Sequence, residues 1–224
     1  MQDYTITGEQ LQAFRQRLVW EEKSPATIEK YLRDAAAFTA WLDGRAASKA
    51  AAGAWKAALL EAKLLETART QGRERLALLL ETICGTGIRV SEVRYVTVEA
   101  VYRGRAEISL KGKIRTILLP GKLCRKLLKY ARKQKIASGE IFLTRNEKGI
   151  SRRQIWAEMK ALCDKAGVAP SKVFPHNLRH LFAKTFYRVC RDVARLADVL
   201  GHSSIETTRI YLISTGTEHA GTLA

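Results

Sequence analysis

Residues 200–211 of this chain read LGHSSIETTRIY, and two shorter stretches precede them, GTGIRVSE at residues 85–92 and PHNLRH at residues 175–180. Together they supply two arginines, two histidines and a late tyrosine: Arg89, Arg179, His176, His202 and Tyr211. Such a set is suited to breaking a phosphodiester, because arginines can bind the phosphate oxygens while a tyrosine attacks the phosphorus.

Phosphoryl transfer without a metal needs fixed cations, a proton donor for the leaving alkoxide and an activated nucleophile. Arg89 and Arg179 are candidates for the first task, since a guanidinium binds phosphate bidentately and stays charged. His176 and Arg179 are three residues apart at a predicted helix start, so their side chains lie on one face. A free phenol has a pKa of about 10, so Tyr211 needs nearby positive charge and a base.

Each motif alone also has a structural explanation. An H-x-x-R pair arises by chance, and a histidine more often satisfies a local hydrogen bond. His202 could simply cap the end of a helix. Tyr211 could pack beside its apolar neighbours Ile210 and Leu212. Only their combination therefore indicates a catalytic function.

The composition favours a nucleic-acid partner. The 224 residues are enough for one large domain or two smaller ones, and 46% hydrophobic with 27% charged residues is typical of an ordinary soluble protein. The net charge of +17 favours a polyanion. No run of about 18 apolar residues and no signal peptide occur, so we expect a cytoplasmic protein without membrane contact. The four dispersed cysteines form no C-x-x-C pair, so neither a metal site nor a disulfide framework is expected.

Apolar periodicity predicts a mainly α-helical fold with a small antiparallel β-sheet, an α+β protein. Helical patterns cover two helices within residues 7–44 and one each in 46–68, 73–84, 123–134, 152–166, 177–187 and 193–200. Residues 96–101, 106–110 and 115–119 are rich in β-formers, and the last two predict a hairpin across residues 111–114.

Basic residues cluster in and after this hairpin. Residues 103–135 contain twelve Lys or Arg and one acid, Glu107. Such a patch predicts contact with DNA phosphates, the alternative being a solvated cationic face. The candidates for DNA binding are Lys113, Arg115, Lys122, Arg125, Lys126 and Lys129.

Taken in order, the GTGIRVSE stretch, the Lys111 hairpin, the HNLRH stretch, Leu200-Gly201-His202 and Tyr211 closely resemble the boxes of the tyrosine recombinases, the lambda-integrase-like phage integrase family. The resemblance covers roughly residues 64–215. It implies a DNA strand transferase that forms a 3′-phosphotyrosyl intermediate, without metal, ATP or another cofactor.

The resemblance also implies a role for each matching residue. Tyr211 is the expected nucleophile, Arg89 and Arg179 the clamp on the scissile phosphate, His202 a hydrogen-bond partner of that phosphate and His176 the general base. A hairpin lysine is the expected general acid; Lys111, next to Gly112, is favoured over Lys113. Glu92 and His180 are expected to support the site rather than to react.

In this family a helical core-binding domain precedes the catalytic domain. We therefore expect residues 1–63 to form a partial, SAM-like core-binding domain and residues 64–224 a catalytic domain. Residues 55–63 run almost directly into residues 64–69, so about two helices and a linker are expected to be missing. Weak DNA binding would follow, and the 13 residues after Tyr211 form a short tail.

The sequence thus predicts a site-specific recombinase of a mobile element, for integration, excision or transposition. It would act on double-stranded DNA as a homo-tetramer that joins two sites, and be a monomer or weak oligomer when free. Two alternatives stay open: a type IB topoisomerase-like enzyme, and a non-catalytic or impaired DNA-binding remnant of a recombinase.

Overall fold

A computed structural model of the chain describes residues 5–110, 113–168, 175–202 and 204–213. For residues 49–50, 110, 113 and 210–213 only the backbone is described. The described helices are α1 (Gly8–Trp20), α2 (Pro25–Leu42), α3 (Lys49–Thr70), α4 (Glu74–Thr86), α5 (Val98–Tyr102), α6 (Gly121–Lys133), α7 (Arg152–Ala166), α8 (Pro175–Cys190), α9 (Val193–Leu200) and α10 (Ile205–Ile213). A 3-10 helix spans Val90–Tyr95, and the strands are β1 (Arg105–Leu110) and β2 (Lys113–Leu118). The predicted mainly α fold with a small antiparallel sheet is confirmed.

Residues 1–57 and residues 58–224 form two compact units. In the first, the Thr7 side chain caps α1 in a reciprocal arrangement with Gln10, and Ser24 caps α2 just before Pro25. The boundary between the units lies within helix α3. The predicted boundary after Lys63 lies within the same helix. The assignment of residues 1–63 as a core-binding domain stays a prediction.

The core of the second unit is built around α4. This helix buries Leu76, Leu79, Leu80 and Ile83, which pack with buried side chains of α6 and α7. A smaller apolar cluster joins α8 to α9 through Ala183, Leu196 and Leu200. Burial of these faces, rather than helix propensity, stabilises the arrangement.

The hairpin is confirmed, with Ala106 opposite Ile117 and Ile108 opposite Arg115. The first β-rich run, residues 96–101, was predicted wrongly, because residues 98–102 form the short helix α5. The Thr97 hydroxyl accepts from the Ala100 backbone N–H and caps this helix, and Val98 and Val101 are buried. A cap and a buried face have overridden the β-propensity of the valines.

No described helix is both long and apolar enough to cross a membrane.

Candidate active site

Two glycine turns position the candidate residues. Gly87 ends α4 with a φ of +65°, and Gly201 ends α9 with a φ of +61°, conformations that side chains other than glycine rarely adopt. A β-carbon would also collide with the Phe182 ring at Gly87 and with the Arg115 side chain at Gly201. These turns therefore need glycine, and they lead directly to Arg89 and His202.

Arg89 precedes the 3-10 helix and lies between two acceptors. Its Nη1 donates to Glu92 Oε1 at 2.8 Å, and its Nη2 donates to the Gly201 carbonyl at 3.1 Å. Its backbone N–H also donates to Glu92 Oε2, at 2.9 Å. The side chain is 38% exposed, so part of the guanidinium is open to a ligand.

Glu92 is fully buried and binds a second arginine. Arg115 donates to its Oε2 from β2, and also to the carbonyl of Leu200. Burial lowers the pKa of Arg115, whereas the charge of Glu92 raises it. The Arg115 side chain is only 14% exposed. The guanidinium of Arg115 therefore lies inside the site, and its predicted place on the basic DNA-binding surface was wrong. Glu92 holds two arginines of the site, the supporting position expected of it.

Arg179 lies on α8 and is 2% exposed. It donates to the Gly87 carbonyl and, at 2.6 Å, to the Leu200 carbonyl. These bonds link the two glycine turns through one guanidinium. Without rearrangement, Arg179 can offer only a small part of its guanidinium to a ligand.

His176 and His180 face each other on α8, with their ring centroids 4.4 Å apart in an edge-to-face arrangement. Burial, and secondarily the charge of Arg179, lowers the pKa of His176. The imidazole of His176 is therefore neutral near pH 7, the form that can accept a proton.

His202 follows the Gly201 turn, and its ring nitrogens contact Arg179 and Thr208. Its Nε2 is 3.2 Å from Arg179 Nη2, and its Nδ1 is 2.8 Å from the hydroxyl of Thr208, a fully buried residue of α10. Burial, followed by the charges of Arg179, Arg89 and Arg115, lowers the pKa of His202 to about 4. His202 is therefore neutral near pH 7.

Three of the predicted residues, Arg89, His176 and Arg179, line one cavity of about 780 Å³. Sequence reasoning missed three other residues in its wall, Arg152, Arg153 and Trp156 of α7. A signal was available, because Ser151 and Gln154 form a capping box that places both arginines in the first turn of a helix. The cavity is thus lined by four arginines and a half-exposed indole.

The other predicted catalytic residues are only partly described. Tyr211 belongs to α10, three residues after Thr208, but its side chain lies outside the described residues. Lys111 and the side chain of Lys113 also lie outside them. The choice between the two lysines as general acid stays a prediction.

Helix α6 has one apolar and one basic face. Leu123, Leu127 and Tyr130 are buried, whereas the predicted DNA contacts are exposed: Lys122, Arg125, Lys126 and Lys129. Lys126 forms an ion pair with Glu81. None of these four side chains lines the cavity that contains Arg89.

Within the described ranges, no group of three or more His, Cys, Asp or Glu side chains is placed to hold a metal ion. The family model of the phage integrase family matches residues 60–217. The chain belongs to the phage integrase family. Two of its predicted boxes line one arginine-rich cavity, and His202 of a third box contacts Arg179 in the wall of that cavity.

Curated tyrosine recombinases are similar to this chain. XerA of Pyrococcus furiosus is 34% identical over 146 residues, which cover 62% of this chain and 49% of XerA. XerC of Neisseria gonorrhoeae is 33% identical over 138 residues, 59% of this chain and 45% of XerC. The chain spans about half the length of these relatives.

Solved recombinases share the fold. A crystal structure of XerA recombinase covers 92% of this chain and 93% of its own, with a TM-score of 0.58 and 20% identity. A lambda integrase dimer bound to a COC′ core site covers 97% of this chain and 84% of its own, with a TM-score of 0.56 and 18% identity. At these identities the likeness concerns the fold.

Proposed function

We propose that this chain is a site-specific DNA recombinase of a mobile element, which cuts and rejoins DNA through a 3′-phosphotyrosyl intermediate at Tyr211. The observation that carries the proposal is the cavity lined by Arg89, His176 and Arg179, with His202 bonded to Arg179. Family membership supports the same chemistry.

In this proposal the arginines bind the non-bridging oxygens of the scissile phosphate. Arg89 is the more accessible, since Glu92 and Gly201 hold its guanidinium while 38% of the side chain stays exposed. Their fixed charges would stabilise the negative charge that develops in the transition state. Arg179, which is almost fully buried, would have to exchange part of its bonding to carbonyl groups for bonding to phosphate.

Cleavage then needs one attack and two proton transfers. The Tyr211 oxygen forms a bond to phosphorus while its proton passes to the neutral His176 imidazole. The bond from phosphorus to the 5′ oxygen breaks, and Lys111 gives that oxygen its proton. The phosphotyrosyl ester keeps the energy of the broken bond, so religation is the reverse reaction and consumes no nucleotide.

We propose double-stranded DNA as the partner, held by the cavity arginines and the exposed cations of α6. Recombination would occur in a homo-tetramer on two DNA sites, in the cytoplasm. In the relatives' solved structures, XerH is bound to its difH substrate and the Tn1549 integrase to transposon right-end DNA. These complexes support DNA as the partner of this fold.

The nucleophile is tested with a nicked suicide substrate, in which loss of a short DNA fragment traps the covalent intermediate. The wild-type chain should form a protein–DNA adduct that survives denaturation, and Tyr211→Phe should form none. Tyr102→Phe, a change at a 63% exposed tyrosine, is the matched control and should form the adduct normally. An adduct that persists with Tyr211→Phe contradicts the assignment of the nucleophile.

The substrate class is tested separately. Adduct formation should require a cognate site and a second protomer, so its rate should rise with protein concentration. Relaxation of a supercoiled plasmid without a cognate site by dilute protein would instead support a topoisomerase-like activity. Binding without adduct on authentic sites would support a DNA-binding protein that does not cut.

A further inference from the structure

His202 lies between the Arg179 guanidinium, which can only donate hydrogen bonds, and the Thr208 hydroxyl, which can donate or accept them. Arg179 Nη2 lies 3.2 Å from its Nε2, and the Thr208 hydroxyl lies 2.8 Å from its Nδ1. A guanidinium carries no acceptor, whereas a hydroxyl offers one proton and two lone pairs. The two contacts therefore constrain the imidazole differently.

The Arg179 contact fixes the tautomer of the free protein. Because Arg179 can only donate, His202 Nε2 must accept, and in a neutral imidazole the proton then resides on Nδ1. The Nδ1–H donates to the Thr208 hydroxyl oxygen. In this tautomer His202 has no proton on Nε2 to offer to a phosphate.

The role proposed for His202 needs the opposite tautomer. To donate to a phosphate oxygen, Nε2 must carry the proton, and Nδ1 must then accept one. The Thr208 hydroxyl can rotate to donate its proton to Nδ1, so the same contact satisfies both forms. Valine has nearly the same shape as threonine but can neither donate a hydrogen bond to Nδ1 nor accept one from it.

We propose that Thr208 is a positioning residue that supports both tautomers of His202, and so lets it change from acceptor of Arg179 to donor to the scissile phosphate. The proton balance is closed: the imidazole loses one proton from Nδ1 to solvent and takes one from solvent at Nε2, and its charge does not change. The phosphate-bound half of this proposal rests on the proposed recombinase function. The tautomer of the free protein does not.

The position of Thr208 adds a second consequence. Thr208 is fully buried in α10, and Tyr211 lies three residues later in the same helix. Because both residues belong to α10, this hydrogen bond joins the helix of the proposed nucleophile to the turn that holds His202. Loss of the bond should affect the chemical step more than DNA binding.

The experiment compares Thr208→Val with Thr208→Ser in the full chain, with Thr207→Val as matched control. Thr207 precedes Thr208 in α10 and is exposed. Cleavage of the nicked substrate is measured at saturating protein, and DNA affinity by gel shift. Thr208→Val should cleave roughly ten- to a hundred-fold more slowly with affinity within about twofold, because a buried partner is lost. Thr208→Ser and Thr207→Val should cleave within about threefold of wild type.

A spectroscopic measurement tests the free protein. Nitrogen-15 NMR of the imidazole, assigned with His202→Asn, should show a proton on Nδ1 and none on Nε2 in wild type and Thr208→Ser. In Thr208→Val the proton should stay on Nδ1, because Arg179 still requires Nε2 to accept. Because this measurement needs no cleavage, it remains decisive when the wild-type chain forms no adduct or when Thr208→Val does not fold.

Three results would overturn the proposal. One is a wild-type His202 that carries its proton on Nε2 in the free protein. Another is a Thr208→Val variant that cleaves like wild type. The third is a Thr208→Ser variant as slow as Thr208→Val, which would show that packing of the methyl group, and not the hydroxyl, matters. Absence of an adduct from wild-type protein on authentic sites would instead count against the recombinase function itself.

Discussion

Arg115 of β2 donates to the buried carboxylate of Glu92, and this ion pair joins the hairpin to the turn that carries Arg89. Glu92 thereby forms ion pairs with two arginines at once. Arg115 also donates to the carbonyl of Leu200, at the end of the helix that precedes His202. One carboxylate thus holds Arg89 directly and, through Arg115, the end of the helix that precedes His202.

Replacing Glu92 by Gln keeps its size but removes the charge that both arginines face. Breaking a buried ion pair by removing one partner costs about 3–5 kcal/mol, since the other charge stays buried. We expect the free energy of unfolding, measured by urea titration, to fall by about that amount.

Glu107→Gln is the control for this change. Glu107 pairs with Arg105 on the hairpin, but both side chains are half exposed, so its loss should cost at most about 1 kcal/mol. Equal effects of Glu92→Gln and Glu107→Gln would show that the buried network does not stabilise the fold.

Periodic patterns allowed much of the fold to be predicted. The helix at residues 152–166 and the hairpin pairing follow from apolar spacing and from turn residues. Helix α10 was not predicted, because its Thr207-Thr208-Arg209 segment breaks any apolar stripe. Thr208 is buried there beside His202, a tertiary contact that local propensity does not encode.

The site was predicted less completely than the fold. The charge count assigned Arg115 to a surface, although the alternation of β2 contained the correct signal. Arg115 shares a strand face with buried Ile117 and lies opposite buried Ile108, whereas Ile114 is exposed. Residues that come together only through packing, such as Trp156 and His176 at one cavity, could not be paired from the sequence.

Gly87→Ala should be strongly destabilising for two separable reasons. The positive φ costs roughly 1 kcal/mol for alanine, and the collision with the Phe182 ring adds about 1–3 kcal/mol. The free energy of unfolding should therefore fall by roughly 2–4 kcal/mol. Calorimetry or urea titration measures the loss.

Gly104→Ala isolates the backbone contribution. Gly104 has a φ of +68°, but a β-carbon there would meet nothing within 4 Å. We expect a loss of about 1 kcal/mol at Gly104, and a partial recovery of Gly87→Ala when Phe182 is shortened to Leu. If Gly104→Ala is as harmful as Gly87→Ala, the close approach of Phe182 is not the reason for the glycine.

Salt dependence should locate the DNA on the surface. If phosphates lie along the cavity, Arg152→Ala and Arg153→Ala should each flatten the slope of log K against log salt by up to about 0.9. Lys129→Ala should do the same if the exposed face of α6 also contacts DNA. Fluorescence anisotropy at several salt concentrations gives the slopes.

Lys133→Ala is the control, because Lys133 already pairs with Glu74 and lines a different cavity. Its slope should match that of the wild-type chain. Unchanged slopes for Arg152→Ala and Arg153→Ala would place the DNA backbone away from α7, and a change only for Lys129→Ala would move it to α6.

His202 should make stability depend on pH in a defined window. Its ordinary pKa is 6.5, and in the folded chain it is lowered to about 4 by burial and by the neighbouring arginines. Between these values the unfolded chain binds a proton that the folded chain does not, so the free energy of unfolding falls as the pH drops from 6.5 toward 4. Above pH 6.5 both states are neutral and the contribution is complete.

In His202→Asn, which cannot take up this proton, the difference between urea midpoints at about pH 7 and about pH 5 should be smaller than in wild type. Carboxylate titrations occur in both proteins and cancel in the comparison, so an equal pH dependence would mean that His202 titrates normally in the folded chain.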